Sequence, residues 1–154
     1  MEKNILGSAN NKTIKEKFLL AFENQKKNNF KVAEKLYKEI LKTNPNHFQT
    51  IGLLGALSLQ TKNLDQAKQL FDKALKINPN HSDTHKNLAL VYEEMNELEK
   101  AKNCYEKSIE IHPNEAETYN NLGVIFNKIG DFYKAKNCYE RAIQLRPDLA
   151  EAHN

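Results

Sequence analysis

The sequence predicts an all-α solenoid of four helix-turn-helix units, and three observations predict it. The four prolines, Pro45, Pro79, Pro113 and Pro147, stand 34 residues apart. Leu20, Leu54, Leu88 and Leu122 keep the same period, each followed by a small residue: Ala21, Gly55, Ala89 or Gly123. Ala33, Ala67, Ala101 and Ala135 repeat with them, as do the aromatics Tyr37, Phe71, Tyr105 and Tyr139. Within each period the apolar residues form two helical stripes parted by a turn. Residues 101–106 and 135–140 share the string Ala-Lys-Asn-Cys-Tyr-Glu, as a duplicated unit would.

Each element can be justified in order. Residues 1–13 read as an N-terminal tail. Units follow at 14–47, 48–81, 82–115 and 116–149, and 150–154 opens a truncated fifth. In the last full unit Tyr119, Leu122, Gly123 and Phe126 fall on one helix face, and Phe132, Ala135, Tyr139 and Ala142 on a second. Gly130-Asp131 makes the turn, because glycine takes the left-handed conformation that ends a helix. Asn28 and Asn96 serve that place in their units; Lys62 fits it poorly, so a turn shifted to Asn63 is expected. Proline closes each second helix. Asn46, Asn80, Asn114 and Asp148 then read as helix caps, with Gln49, Asp83, Glu117 and Glu151 three residues later, and Thr13 with Glu16 repeats the pattern. The small residue of the first helix and the Ala of the second let the two backbones approach.

Composition limits the function classes. The chain has 154 residues, 40% hydrophobic and 28% charged, enough apolar surface for a buried core. Lys plus Arg is 23 and Asp plus Glu 20, for a net charge of +3, with the signs interspersed and no Lys/Arg run of the nucleic-acid-binding kind. Nucleic acid is therefore not an expected partner. No apolar stretch approaches the roughly 18 residues of a membrane span, so no membrane insertion is expected. Ile5-Leu6 is the one apolar pair before Thr13, far short of the ~7–15-residue core of a signal peptide. The expected location is cytoplasmic.

The period of 34, with Leu-small, Ala, aromatic and Pro at fixed places, resembles the tetratricopeptide repeat. The resemblance covers Ile14 to Leu149. It implies a right-handed superhelix of eight helices whose concave groove is lined by the first helix of each pair. It also implies a binding scaffold and not an enzyme. The first unit departs from the pattern, with Lys17, Asn24 and Ile40 where the family prefers an aromatic, an aromatic and Ala; terminal repeats act as caps. Asp148-Leu-Ala-Glu-Ala-His-Asn154 matches the opening of a further unit, so the chain reads as the N-terminal piece of a longer one.

No catalytic residue, metal site or cofactor is expected. Cys104 and Cys138 sit at the same place in adjacent second helices, ~9–10 Å apart by helix packing. A disulfide needs Cα atoms within ~7 Å, so both read as reduced fillers. His81 and His85 have two-His metal spacing, but the Glu that usually follows the first His is absent, and packing is the favoured role.

The groove is the candidate site. In the resembled family, peptides contact the fifth, ninth and twelfth places of each unit, among others. Here the fifth places are Phe18, Gly52, Lys86 and Asn120. The ninth are Phe22, Ala56, Leu90 and Val124, and the twelfth Gln25, Leu59, Glu93 and Asn127. Phe18, Phe22 and Leu59 form the most exposed apolar cluster inferred, either a contact site or a patch covered by Ile5 and Leu6. The carboxylate clamp of the chaperone-tail binders is absent, since Phe18 and Phe22 replace its Lys and Asn and Lys86 is the lone clamp-like cation. Asn87-Leu-Ala89, Asn121-Leu-Gly123 and Ala150-Glu-Ala-His-Asn154 are similar to the repeat region of O-linked N-acetylglucosamine transferases. There an Asn ladder holds a ligand backbone, although Leu19 and Leu53 interrupt it here. Asn87 and Asn121 either serve that ladder or bond across the stack.

Two functions follow. The first is a non-enzymatic scaffold that binds a protein or extended peptide, with weak self-association through the C-terminal repeat. The second is the substrate-recognition arm of a longer transferase.

Overall fold

The structure is a computed structural model that describes residues 2–146, and the described residues form eight helices and no strand. They are α1 (Glu2–Lys26), α2 (Phe30–Thr43), α3 (Phe48–Gln60), α4 (Leu64–Ile77), α5 (Ser82–Glu94), α6 (Leu98–Ile111), α7 (Ala116–Ile129) and α8 (Phe132–Leu145). The chain divides into two compact units, Met1–Ile77 and Asn78–Asn154. In the first, α1 pairs with α2 and α3 with α4, while α3 lies against α2. In the second, α5 pairs with α6 and α7 with α8, while α7 lies against α6.

The helix pairs form because one residue in each first helix is small and one in each second helix is aromatic. A Cβ built on Gly55 would stand 2.7 Å from Phe71 Cε1, and one on Gly123 would stand 2.7 Å from Tyr139 Cε1. At such a distance the ring would have to shift to admit a Cβ; at the equivalent places of the other two pairs stand the small residues Ala21 and Ala89. Around these contacts α2 buries Ala33, Tyr37 and Ile40, α4 buries Ala67, Phe71 and Ala74, and α6 buries Ala101, Tyr105 and Ser108. The spacing of four and three residues is one helix face. On α8 the equivalent stripe is open, with Ala135 alone buried. The Ser108 hydroxyl is buried without a hydrogen-bond partner, where α4 of the first unit has Ala74.

Four turns of one design join the two helices of each pair. Within two residues of the end of each first helix one residue has positive φ: Asn28 (61°), Lys62 (61°), Asn96 (59°) and Gly130 (91°). Behind each, two backbone bonds close a Schellman motif, as in Lys62 N–H to Leu59 O (3.0 Å) and Asn63 N–H to Ser58 O (2.8 Å). The turn expected to shift to Asn63 does not shift; Lys62 takes the left-handed conformation itself. The two bonds of the motif hold it there, although left-handed backbone costs a residue with a Cβ roughly 1–2 kcal/mol.

The helix caps differ from expectation by one residue. His47, His81 and Glu115 are the N-caps of α3, α5 and α7, not Asn46, Asn80 and Asn114. Each meets a buried threonine three residues on: His47 Nδ1 with Thr50 Oγ1 at 2.7 Å, His81 Nδ1 with Thr84 Oγ1 at 2.9 Å, and Glu115 Oε2 accepting from Thr118 Oγ1 at 2.6 Å. Proline and asparagine are used up in the tight turn before the helix, so the chain reaches helical geometry one residue later. At the N-terminus α1 begins at Glu2. The stretch read as a tail continues into the helix, and Thr13 lies inside it instead of capping it. No proline precedes Pro45 and Gly7 is the lone glycine before Gly52, so little in the sequence stops the helix there. The proposed caps Asp148 and Glu151, the fifth-unit opening at 150–154, and the side chains of Ile5 and Leu6 lie outside the described residues.

Replacing Lys62 with Gly relieves the left-handed cost and gives back part of it as chain entropy. The expected outcome is a gain of about 0.5–1 kcal/mol. Gly130→Ala, which forces a Cβ into the same conformation, is expected to lose about 1 kcal/mol. Thermal melts followed by circular dichroism check both, at a scale of roughly 2–4 °C per kcal/mol for a chain of this size.

Candidate binding surfaces

In the first unit the candidate residues lie on α1 and α3. Phe18 is half-buried, because its ring meets Tyr37 edge-on at 6.4 Å and His47 at 5.8 Å. It lines a shallow depression of about 380 Å³ with Ile14, Lys15, Asn44, His47 and Gln49. Phe22 is also half-buried, with Lys26 Nζ 4.5 Å above its ring. Leu59 is half-buried on α3, in helical register with Ala56 and Gly52. These three are therefore not the most exposed apolar cluster. Within the first unit, Leu19 (53%) and Leu20 (54%) of α1 are more exposed, and across the described residues Phe132 (68%) and Tyr133 (76%) of α8 are more exposed still. Leu20 holds the place at which Leu54 and Leu122 are buried. α3 and α7 have a second helix lying against them there, while Leu20 faces outward on α1. At the twelfth place, Gln25 is drawn inward: Tyr37 Oη donates to Gln25 Oε1 at 2.9 Å, and burial pushes the Tyr37 phenol up to about 12.

The second unit holds its candidate residues by charge. Lys86 is 14% exposed and meets Glu115 at 2.6 Å, Glu117 at 3.5 Å and Asp83 at 3.6 Å. Burial alone would lower its pKa, but the Glu115 hydrogen bond and three carboxylates outweigh it, and the net shift is upward. Glu115 shows the counterpart. Burial raises its pKa, while Lys86 and the Thr118 hydroxyl lower it further, and the net shift is downward. The clamp-like cation of the sequence is thus neutralised inside its own unit. Glu93, at a twelfth place, takes a bond from Tyr105 Oη at 3.3 Å and pairs with Lys128 at 2.7 Å, joining α5, α6 and α7. Burial, then the Glu93 carboxylate, raise the Tyr105 pKa, and a side-chain hydrogen bond from Asn121 opposes them.

The remaining candidates divide by exposure. Asn87, Leu90 and Val124 are half-buried, Leu90 against the core cluster of Tyr105 and Phe126. Asn120 and Asn127 are exposed. Asn120 borders a cavity of about 500 Å³ with Ala116, Glu117, Tyr139, Ala142, Ile143 and Arg146. His81 caps α5, and His85 Nε2 donates to the Pro79 carbonyl at 2.8 Å, so both rings serve the backbone turn. Cys104 and Cys138 form no disulfide and are half-buried against the core, and burial raises the Cys138 thiol. Among the described residues no three His, Cys, Asp or Glu side chains gather to hold a metal, and no helix is long and apolar enough to cross a membrane. The sequence reading missed the Lys86 partners and the threonine caps. The caps had a signal, since Thr50, Thr84 and Thr118 recur at 34.

Three family models described as tetratricopeptide repeat match residues 21–82, 59–122 and 116–149. The chain belongs to the tetratricopeptide repeat family. No curated protein sequence matches it. Its fold is similar to MamA 41-end from Desulfovibrio magneticus RS-1, at 20% identity and TM-score 0.83, over 88% of this chain and 76% of that one. A crystal structure of MamA matches at 23% identity and TM-score 0.78, over 82% and 74%. An O-GlcNAc transferase mutant from Thermobaculum terrenum matches at 23% identity and TM-score 0.71, over 76% of this chain but 22% of the transferase. At these identities the likeness is one of fold: a tetratricopeptide-type helical repeat.

In this repeat protein the Lys86–Glu115 contact is a test of how the second unit is held. Glu115 has a depressed folded pKa, so its stabilisation is present above the unfolded carboxylate value near ~4.3 and is lost as pH falls through the folded value. Glu115→Gln is expected to cost about 1–2 kcal/mol at neutral pH. The gap between variant and parent should close below about pH 4. Urea titrations across pH check this; a gap that persists in acid would show that the charge is not what Glu115 supplies.

Proposed function

We propose that this chain is a non-enzymatic scaffold whose first-helix residues bind a protein or an extended peptide. The observation that carries the reading is on α3. Gly52 stands mid-helix, where glycine costs about 1 kcal/mol against alanine. A Cβ there would meet nothing within 4 Å, so no internal contact requires the glycine. Ala56 and Leu59 continue the same face, both partly exposed. A surface kept small and apolar without an internal reason suits close approach by another chain. Phe18 and Phe22 supply apolar area on α1, and Lys86, Asn87, Leu90, Asn120, Asn121, Val124 and Asn127 are the corresponding residues of the second unit.

Charge adds to the partner's description. Residues 1–77 carry 14 Lys/Arg against 7 Asp/Glu, while 78–154 carry 9 against 13. A partner segment for the first unit is therefore apolar with acidic flanks. Weak self-association through the C-terminal repeat is part of the same reading.

A second reading is the recognition arm of a longer transferase. It is favoured by the Asn-Leu-small phrases at 87 and 121 and by the fold likeness to the Thermobaculum transferase.

A peptide array separates apolar-acidic sequences from apolar-basic and scrambled ones. The expected outcome is capture of the apolar-acidic set by the parent chain. Gly52→Leu should reduce that capture at least about tenfold, a loss of ~1.4 kcal/mol, without lowering the thermal midpoint. Equal capture by parent and variant would remove α3 from the site.

A further inference from the structure

The solvent face of α2 carries six charged residues, Lys31, Glu34, Lys35, Lys38, Glu39 and Lys42, which line a shallow depression of about 330 Å³. Their spacing of three and four residues is one helix face, about 16 Å long at ~1.5 Å per residue. The four lysines are exposed and the two glutamates half-buried. Glu34 is taken by Lys38 at 2.6 Å, and Glu39 by Lys17 of α1 at 3.0 Å. Lys31, Lys35 and Lys42 form no ion pair among the described residues.

Two repeats later the same places of α6 carry Glu99, Lys102, Asn103, Glu106, Lys107 and Glu110. Five of the six are inverted in sign and the sixth is neutral. Exposure keeps its order: Glu99, Asn103, Glu106 and Glu110 are exposed, Lys102 and Lys107 half-buried. Lys102 pairs with Glu99 and Lys107 with Glu110, yet these glutamates stay 68% and 70% exposed. Pairs this open are weak and exchange for others at little cost. α4 and α8 do not complete the inversion: Lys76 keeps the sign of Lys42, and Tyr133, Asn137 and Gln144 are uncharged.

We infer that the α2 face of one copy docks antiparallel on the α6 face of a second copy. The occupant is read from charge. The six places have the same spacing from either end, so reversal keeps them in register. Lys31 then meets Glu110, Glu34 meets Lys107, Lys35 meets Glu106, Glu39 meets Lys102 and Lys42 meets Glu99. Lys38, the lysine already paired within α2, meets the uncharged Asn103. A parallel arrangement would set the unpaired Lys35 on Asn103 instead. Like faces repel: two α2 faces would oppose Lys31 to Lys42 and Glu34 to Glu39, and two α6 faces Glu99 to Glu110. The contact is therefore between unlike faces. Each exposed pair is weak and screened by salt, so association is weak and depends on the whole pattern. It uses second helices, and so lies apart from the first-helix surface and from residues 116–149 of the proposed function.

Sedimentation equilibrium of the 154-residue chain at ~20 mM salt, up to millimolar protein, tests the inference. The expected result is self-association that weakens at least about tenfold in ~0.5 M salt. Lys31→Glu, Lys35→Glu and Lys42→Glu together should weaken it at least about tenfold, and so should Glu99→Lys, Glu106→Lys and Glu110→Lys together. The sixfold variant carrying both sets keeps the net charge of +3 and should associate at least as tightly as the parent, since every exchanged pair is again opposite in sign. Because it contains both triples, its recovery also shows that both faces still fold. Gly52→Leu should leave the association unchanged. A strict monomer at low salt, or a sixfold variant that stays monomeric, overturns the inference. Association that ignores both triples overturns it too, while leaving self-association through residues 116–149 in place.

Discussion

The whole fold depends on an aromatic ring lying where a first helix has almost no side chain. The 2.7 Å gap between a hypothetical Cβ on Gly55 and the Phe71 ring shows how close the two helices come. The same holds at Gly123 and Tyr139. Once a pair closes in this way, the second-helix ring is buried and its polar tip must find a partner. Tyr37 finds Gln25 and Tyr105 finds Glu93, each twelve residues earlier in its own pair. In the second pair the ring is Phe71 and the corresponding residue is Leu59, so no hydroxyl and no acceptor are called for. The twelfth place is therefore chosen to match the ring, which takes it partly out of use as a binding position.

A pair closed by this lock still leaves one face open, and repetition is how the chain covers it. Within the first unit α3 lies on α2, and within the second α7 lies on α6. The covering helix brings a leucine, a threonine and a third apolar residue. The threonine also secures the turn before it, through His47 or Glu115. One side chain thus joins the start of a helix to the packing of the next pair. Glu115 goes further, since it caps α7 and neutralises Lys86 at 2.6 Å. In the second unit, turn chemistry and charge balance are the same contact.

Much of this was legible in the sequence, and what was not has particular causes. The number of helices, the turn positions and the small-aromatic lock follow from the period of 34, because repetition averages away local ambiguity. The caps were misplaced by one residue because Asn after Pro is a good cap by type, and residue type does not show where the tight turn ends. Lys62 was doubted because left-handed backbone is costly for lysine; the two Schellman bonds that hold it there are backbone contacts, which residue type does not show. Among the site residues, Phe18 was placed on the correct helix but judged too exposed, since the rings of Tyr37 and His47 reach it from distant parts of the sequence. Lys86 looked free because its three acids lie one turn before it and about thirty residues after it. Side-chain partners of that kind depend on packing between pairs, which period and composition do not encode.

The contrast between the units bears directly on what each can bind. A lysine can hold a ligand carboxylate when its own neighbours leave it charged and unpaired. Lys86 is charged but fully paired, and any ligand acid must first displace Glu115, which is itself held by Thr118 at 2.6 Å. The exchange would replace one carboxylate by another and gain little. The second unit is therefore poorly suited to anionic ligands despite its central lysine. The first unit has the reverse arrangement. Its first helices present Phe22, Gly52, Ala56 and Leu59, its Lys/Arg outnumber its acids two to one, and no lysine on α3 competes for the apolar face. An apolar segment with acidic flanks can keep its charges in water beside those lysines while its side chains meet α3.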